Sequence, residues 1–266
     1  MKPAPFTYTR PETLEEALDA LAREGDAKVL AGGQSLVPAL NLRLVRPEAV
    51  VDINRVLDLG NVSEEDESLV VGATVRQADP RLLAHPLLAE ALPHVGHVVT
   101  RNRGTVCGSI AHADAAAELP LCLTLLDGHV CARSARGERE ITAADFFVTH
   151  FTTALEPGEL VVETVWPKPR VGWGYAFAEL TQRHGDYALS MAAAATDGVA
   201  LRVVIGSVGD RPTLLDVDPE TPGASAAAQV EPWGTVHASP AYLRNLVRVL
   251  VDRVVAQARE RAGGGA

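Results

Sequence analysis

The sequence predicts an α+β fold, on three observations. Strand-like and helix-like segments alternate to about residue 165, three consecutive strands joined by short turns follow, and a long amphipathic helix closes the chain. Of the 266 residues, 47% are hydrophobic and 22% charged. That balance belongs to a globular protein with enough apolar surface to offset its ordering entropy. The length allows one to three domains.

The elements read as follows. Thr13-Leu14-Glu15-Glu16 is a capping box, and Leu14, Ala17, Leu18 and Leu21 form the apolar stripe of a first helix that Gly25 ends. Residues 27–31 read as a short buried strand and residues 49–53 as a second. A third includes residues 69–71. Thr74-Val75-Arg76-Gln77 is a second capping box, which predicts a short helix. Helices are expected over residues 87–95 and 119–126, the latter stopped by Gly128. Residues 159–166 alternate like a strand before Pro167-Lys168-Pro169 breaks the chain, which places a domain boundary there. Residues 175–181, 188–196 and 199–207 read as three strands, with Asp197-Gly198 as a hairpin turn. Residues 209–235 look loop-like. Residues 239–261 form the long helix, with Leu243, Leu246, Val247, Leu250, Val254 and Val255 on one face. Gly263-Gly264-Gly265 reads as a frayed tail.

Charge and cysteine content exclude several classes. The formal net charge is −10, so there is no general attraction to nucleic acid or anionic lipid. No apolar run approaches the roughly 18–20 residues of a membrane span. Residues 1–6 carry no apolar signal region, so no secretory leader is expected. The three cysteines, Cys107, Cys122 and Cys131, form no C-x-x-C pair. That argues against a disulfide framework, a zinc site or an iron–sulfur site, and fits a reducing, cytoplasmic setting.

Two glycine-rich segments carry the chemistry: Ala31-Gly32-Gly33-Gln34-Ser35-Leu36, and residues 102–114, which include Thr105-Val106-Cys107-Gly108-Ser109 and Asp114. Glycine lets backbone approach a ligand closely, and successive N–H groups make an anion-binding concavity. The hydroxyls of Ser35, Thr105 and Ser109 can add bonds to phosphate. Neither loop matches the dinucleotide fingerprint or the Walker pattern. Other candidates have plainer readings. His112 beside Asp114 reads first as a loop-fixing residue. His94 and His97 lack a third metal ligand and read as solvated or packed. Cys107 reads as a small loop-filler, and Arg101 and Arg103 as surface charges, or as contacts to phosphate or a partner subunit. Tyr187 is equally a strand aromatic or a ring that stacks on a ligand. No catalytic residue and no metal ligand set is assigned.

Taken together with Val51-Asp52-Ile53-Asn54, Gly185-Asp186-Tyr187-Ala188 and Ala241-Tyr242-Leu243-Arg244, these loops resemble the FAD-binding medium subunit of molybdenum hydroxylases, the family of carbon monoxide dehydrogenase medium chains and xanthine dehydrogenase FAD-binding subunits. The resemblance implies two α/β subdomains of the PCMH type, about 1–55 and 56–168, followed by a C-terminal domain, 169–266, with a three-stranded antiparallel sheet and helix. It implies that Ala31, Gly32, Gly33, Gln34, Ser35 and Leu36, with Thr105, Val106, Cys107, Gly108 and Ser109, cradle the pyrophosphate of non-covalent FAD. Asp114, Glu118 and Tyr187 complete the cofactor site, with Glu118 near the ribityl chain.

The implied role is electron transfer. Electrons would come from the [2Fe–2S] clusters of a small subunit and the molybdenum cofactor of a large subunit, in a dimer of heterotrimers, and leave through FAD to a final acceptor. A self-sufficient FAD oxidase and an FAD-less scaffold are the alternatives. Against the family pattern, Cys107 replaces a usual Gly, which implies strain of about 1–2 kcal/mol if φ is positive. Ala115 stands where Pro is common. Glu179 stands where some relatives have Lys, and a charged carboxylate there would disfavour anionic reduced flavin. The 209–235 segment looks short enough to lack a helix.

Overall fold

The computed structural model describes residues 1–23 and 25–263. Two of the three glycines read as a tail, Gly264 and Gly265, lie outside them.

The first unit is a three-stranded parallel sheet. Its elements are β1 (Thr7–Thr9), α1 (Leu14–Arg23), β2 (Ala27–Leu30), α2 (Leu36–Asn41) and β3 (Ala49–Asp52), in sheet order β1-β3-β2. The Thr13 hydroxyl accepts from Glu16 N at 3.2 Å, and the Glu16 carboxylate reaches back to Glu12 N at 2.9 Å. Ala17, Leu18, Ala20 and Leu21 bury the inner face of α1. Strand β3 is fully buried, whereas β2 is only half-buried.

The second unit departs from the expected α/β pattern. It contains β4 (Val62–Glu64), β5 (Ser68–Gly72), α3 (Pro86–Ala91), α4 (Val98–Arg101), α5 (Val106–His112), α6 (Glu118–Leu126), β6 (His129–Ser134), β7 (Gly137–Thr142), α7 (Ala143–Phe146), β8 (Phe147–Thr149), β9 (Thr152–Thr153) and β10 (Leu160–Pro167). Its five-stranded sheet, β4-β5-β10-β6-β7, is antiparallel throughout. Helices α5 and α6 pack on it. The helix expected after Thr74 does not form. Gln77 N donates to Gly104 O at 2.9 Å, and Val75 O accepts from Val106 N at 3.1 Å. Those backbone groups are committed to the second glycine loop and cannot close a helical turn.

The remainder holds β11 (Gly174–Leu180), β12 (Ser190–Thr196), β13 (Leu201–Gly206), β14 (Thr213–Leu215), α8 (Pro222–Ala228) and α9 (Pro240–Gly263). Two expectations are corrected. The sheet has four strands in the order β11-β12-β13-β14, not three. The 209–235 segment is not merely loop, because it supplies both the fourth strand and helix α8. A three-residue strand and an Ala-rich helix are too short for the periodic signal that marks the other elements.

Strand β12, Ser-Met-Ala-Ala-Ala-Ala-Thr, is buried on both faces. Ala192 and Ala194 join Val247, Val251 and Val254 of α9, while Met191, Ala193 and Ala195 join the core of the second unit. Small side chains let helices approach from both sides. The closest approach is at Gly174, where an added Cβ would collide with the carbonyl oxygen of Ala258 and lie 2.6 Å from Ala262 N. Gly174→Ala should therefore force α9 off β11 and cost about 1–3 kcal/mol, read as a lower midpoint in urea unfolding. An unchanged midpoint would show that the helix slides freely on this sheet.

Candidate functional site

The two glycine loops touch. A Cβ on Gly32 would collide with the carbonyl oxygen of Arg103 and lie 2.7 Å from Gly104 Cα. Gly33 has φ +73°, where a side chain is strained. Their contact is held by a clamp. Asn54 Nδ2 donates to Ala31 O at 2.8 Å, and Asn54 Oδ1 accepts from Arg76 Nη2 at 2.7 Å. Arg76 Nη1 then donates to Arg103 O at 2.6 Å. Asp52 fixes Asn54, accepting from its N–H at 3.0 Å and its Nδ2 at 2.6 Å. Burial pushes the Asp52 carboxyl pKa up, but hydrogen bonds from Tyr8 and Asn54 outweigh it and hold the group below its ordinary value. Arg76 was readable only as part of an expected helix, and its clamp role has no sequence signature.

A cavity of about 360 Å³ opens at this junction, lined in part by Ala31, Gly32, Gly33, Gln34, Asn54 and Arg103. Among the described residues, the N–H groups of Gly32, Gly33, Gln34 and Ser35 have no protein acceptor. Four adjacent free donors beside an arginine suit a pyrophosphate. Ser35 makes no side-chain cap bond to α2, and its hydroxyl faces Tyr187 instead. Leu36 begins α2 behind it. The cradle therefore fits FAD at its phosphates.

The second loop contributes differently from expectation. The Thr105 hydroxyl caps α5, accepting from Gly108 N at 3.0 Å. Val106 and Cys107 point into the core, at 1% and 2% exposure, so neither side chain faces the cavity. Cys107 lies within α5 and is not among the positive-φ residues. The expected strain is absent, and so is the support it gave to an FAD-less scaffold. The Cys107 thiol donates to Val71 O at 3.2 Å and meets Thr164 Oγ1 at 3.5 Å, and burial pushes its pKa up to about 12. Ala115 N lies 3.5 Å from His150 Nδ1, a donor that a proline would lack.

Further along, Asp114 Oδ1 accepts from Ala116 N at 2.9 Å, fixing the turn into α6. Glu118, the first residue of α6, is 6% exposed, and burial pushes its carboxyl up to about 8. Tyr187 is not in a strand. It sits in the connection from β11 to β12 with 59% of its surface exposed. Its phenol pKa is raised, first by desolvation, then by the Asp114 and Glu118 carboxylates, while the Ser35 side chain opposes them. Tyr187 thus lies within electrostatic reach of both the first loop and the 114–118 segment.

Glu179 Oε1 lies 3.0 Å from His94 Nδ1, while Oε2 is buried without a partner. Burial pushes Glu179 up to about 7. It therefore carries much of its proton near neutrality, which weakens the expected penalty on reduced flavin. Arg101 is structural, donating to Val95 O at 3.0 Å and Gly96 O at 3.1 Å. His112 is the last residue of α5, and its ring packs 4.8 Å from Phe151.

Two stability measurements follow. Cys107→Gly removes a buried thiol and adds helix-interior glycine, so unfolding should weaken by about 2–3 kcal/mol. A neutral or stabilising result would reinstate loop strain. For Glu118, the unfolded carboxyl titrates near 4.5 and the folded one near 8. The folded state holds the extra proton between those values, so FAD-free stability must fall as pH rises through that window. Glu118→Gln should flatten this slope in melting curves between about pH 5 and 8.

The family model for the FAD binding domain in molybdopterin dehydrogenase matches residues 4–169. The chain is 41% identical to the 6-hydroxypseudooxynicotine dehydrogenase complex subunit alpha of Paenarthrobacter nicotinovorans, over 98% of this chain and 97% of that one. Its structure superposes on a chain of carbon monoxide dehydrogenase from Hydrogenophaga pseudoflava with TM-score 0.92 and 30% identity, covering 98% and 99% of the two chains. A chain of quinoline 2-oxidoreductase from Pseudomonas putida 86 gives TM-score 0.90 and 36% identity, covering 100% and 99%. The chain belongs to the family of FAD-binding medium subunits of molybdenum hydroxylases.

Proposed function

We propose that this chain holds FAD across its two glycine loops and passes electrons from a partner's iron–sulfur clusters to a final acceptor. The observation that carries the reading is the direct contact of the two loops with four free N–H donors at the junction. FAD, when bound, supplies a ring that takes up electrons singly and gives them up in pairs.

The chain's own residues bind and orient. The N–H groups of residues 32–35, the Ser35 hydroxyl and the Arg103 guanidinium hold the pyrophosphate, and the turn from Thr105 to Ser109 backs the cradle, with the N–H groups of Val106, Gly108 and Ser109 spent within the protein. Protonated Glu118 can both donate to and accept from ribityl hydroxyls. Asp114 positions the segment, and Tyr187 covers the ring. The unpartnered Glu179 Oε2 is a further group that a bound cofactor can complete.

Several features support a division of labour between subunits. A [2Fe–2S] cluster needs four ligands, usually cysteines. This chain has three cysteines, all free and buried, on α5, α6 and β6. The free thiols also support a reducing, cytoplasmic compartment. Among the described residues, no helix is long and apolar enough to cross a membrane. Two matched structures, named for carbon monoxide and quinoline, superpose almost equally well. One such backbone serving unlike substrates suits a subunit that does not select the substrate. The proposed assembly is a dimer of heterotrimers with an iron–sulfur small subunit and a molybdenum large subunit. The proposed division of this chain is 1–168 for FAD, with subdomains 1–55 and 56–168, and 169–266 beyond.

The experiment is to purify the chain with FAD and offer carbon monoxide, aldehydes, purines and N-heterocycles without oxygen. The flavin should stay oxidised until partner subunits are added. Gly32→Val should remove bound flavin, with circular dichroism confirming the fold. Rapid bleaching of the isolated flavin by a substrate would overturn the reading in favour of a self-sufficient oxidase.

A further inference from the structure

The antiparallel register of the second unit builds a second cluster. Gly72, Glu163, Cys131 and Glu140 are consecutive lateral partners across β5, β10, β6 and β7. His129 lies two residues from Cys131 on the same strand and so on the same sheet face. The opposite face carries Thr164, which meets Cys107 of α5. The cluster and the second glycine loop therefore lie on opposite sides of one sheet.

We propose that His129, Cys131 and Glu140 form a binding site for a borderline-soft divalent cation of the Zn²⁺ class. Their donor atoms all lie within 4.8 Å of one another. His129 Nε2 is 3.9 Å from Glu140 Oε2. Tetrahedral Zn²⁺ with bonds of about 2.0–2.3 Å wants donors about 3.3–3.8 Å apart. Rotation of the Glu140 side chain, 74% exposed, and of the His129 ring, 31% exposed, covers the difference. Cys131 is the fixed member, 4% exposed within the sheet. Thiolate with imidazole selects Zn²⁺ over Mg²⁺ or Ca²⁺. A water molecule completes four-coordination.

Charge at the site favours a dication. Cys131 faces Glu163 on β10 and Glu140 and Glu138 on β7, while Arg133 pairs with Glu138 at 3.8 Å. Burial and these carboxylates push the thiol up to about 12. The same carboxylates that oppose a thiolate attract a cation. On binding, the S–H bond breaks, its proton leaves to solvent, and the sulfur lone pair forms the S–metal bond. The site is missed by a search for C-x-x-C, because two of its ligands are joined by sheet register, not by close sequence spacing.

The test is equilibrium dialysis of the FAD-loaded chain against Zn²⁺, with Co²⁺ as an optical probe read in difference spectra. One Zn²⁺ per chain and a thiolate-to-Co²⁺ charge-transfer band are expected. Cys131→Ser should abolish the band. His129→Gln and Glu140→Gln, at half-buried and exposed positions that spare the fold, should each weaken affinity about tenfold or more. FAD content should not change in either variant, which separates this site from the flavin cradle. Substoichiometric uptake, absence of the band, or equal affinity in Glu140→Gln and the parent chain would overturn the proposal.

Discussion

The proposed flavin site depends on one constraint: two loops far apart in sequence must be held in backbone contact. Asn54 and Arg76 do this by bridging the carbonyls of Ala31 and Arg103. Both carbonyls are loop groups that would otherwise need water or a ligand. Using them internally leaves the loop N–H groups as the free, outward-facing donors. The clamp therefore sets the polarity of the site as well as its shape. Glycine at position 32 is a consequence of that contact, since any side chain would occupy the place of the Arg103 carbonyl.

A second constraint couples the flavin-binding units to the C-terminal sheet. Strand β12 has no solvent face, and its four consecutive alanines let α9 and the second unit's core approach from opposite sides. The 181–189 connection, which carries Tyr187, leaves this packed strand pair toward the first glycine loop. Ser207, held at φ +69°, donates its N–H to Ala115 O at 2.8 Å and ties the end of β13 to the 114–118 turn. The first loop is held by the Asn54–Arg76 clamp and the 114–118 turn by a backbone bond, neither of which depends on a ligand.

Much of this was legible in the sequence because its signals are local. The capping box at Thr13, the stripe of α1, the hairpin at Asp197-Gly198 and the apolar face of α9 each fit within a few turns or residues. The glycine loops were legible as loops, and their order supported the family resemblance. What could not be read were long-range relations. The antiparallel pairing of β5 with β10 joins residues some ninety apart in sequence, as Val71 with Thr164 shows. The Thr74 capping box was a true local signal overridden by hydrogen bonds to the second loop. Cys107 was misread because a family glycine suggested positive φ, whereas its position in α5 asks only for a small side chain that reaches Val71 O.

Electrostatics reconciles an acidic chain with an anionic ligand. The net charge of −10 is spread over the whole surface and screened by salt. What a pyrophosphate would meet at the proposed cradle is local: backbone dipoles, a hydroxyl and Arg103. Two buried acids of the later units are also partly silenced. Burial raises Glu118 to about 8 and Glu179 to about 7, so near neutrality each holds much of its proton. A buried carboxyl without a cation is costly as an ion and tolerable as an acid. The cleft can therefore be rich in carboxyl groups, useful for recognising hydroxyls, without becoming a field that repels phosphate. Asp52, which lines the cavity, shows the opposite solution. Ringed by Tyr8 and Asn54, it stays ionised, and its charge is spent on orienting the clamp.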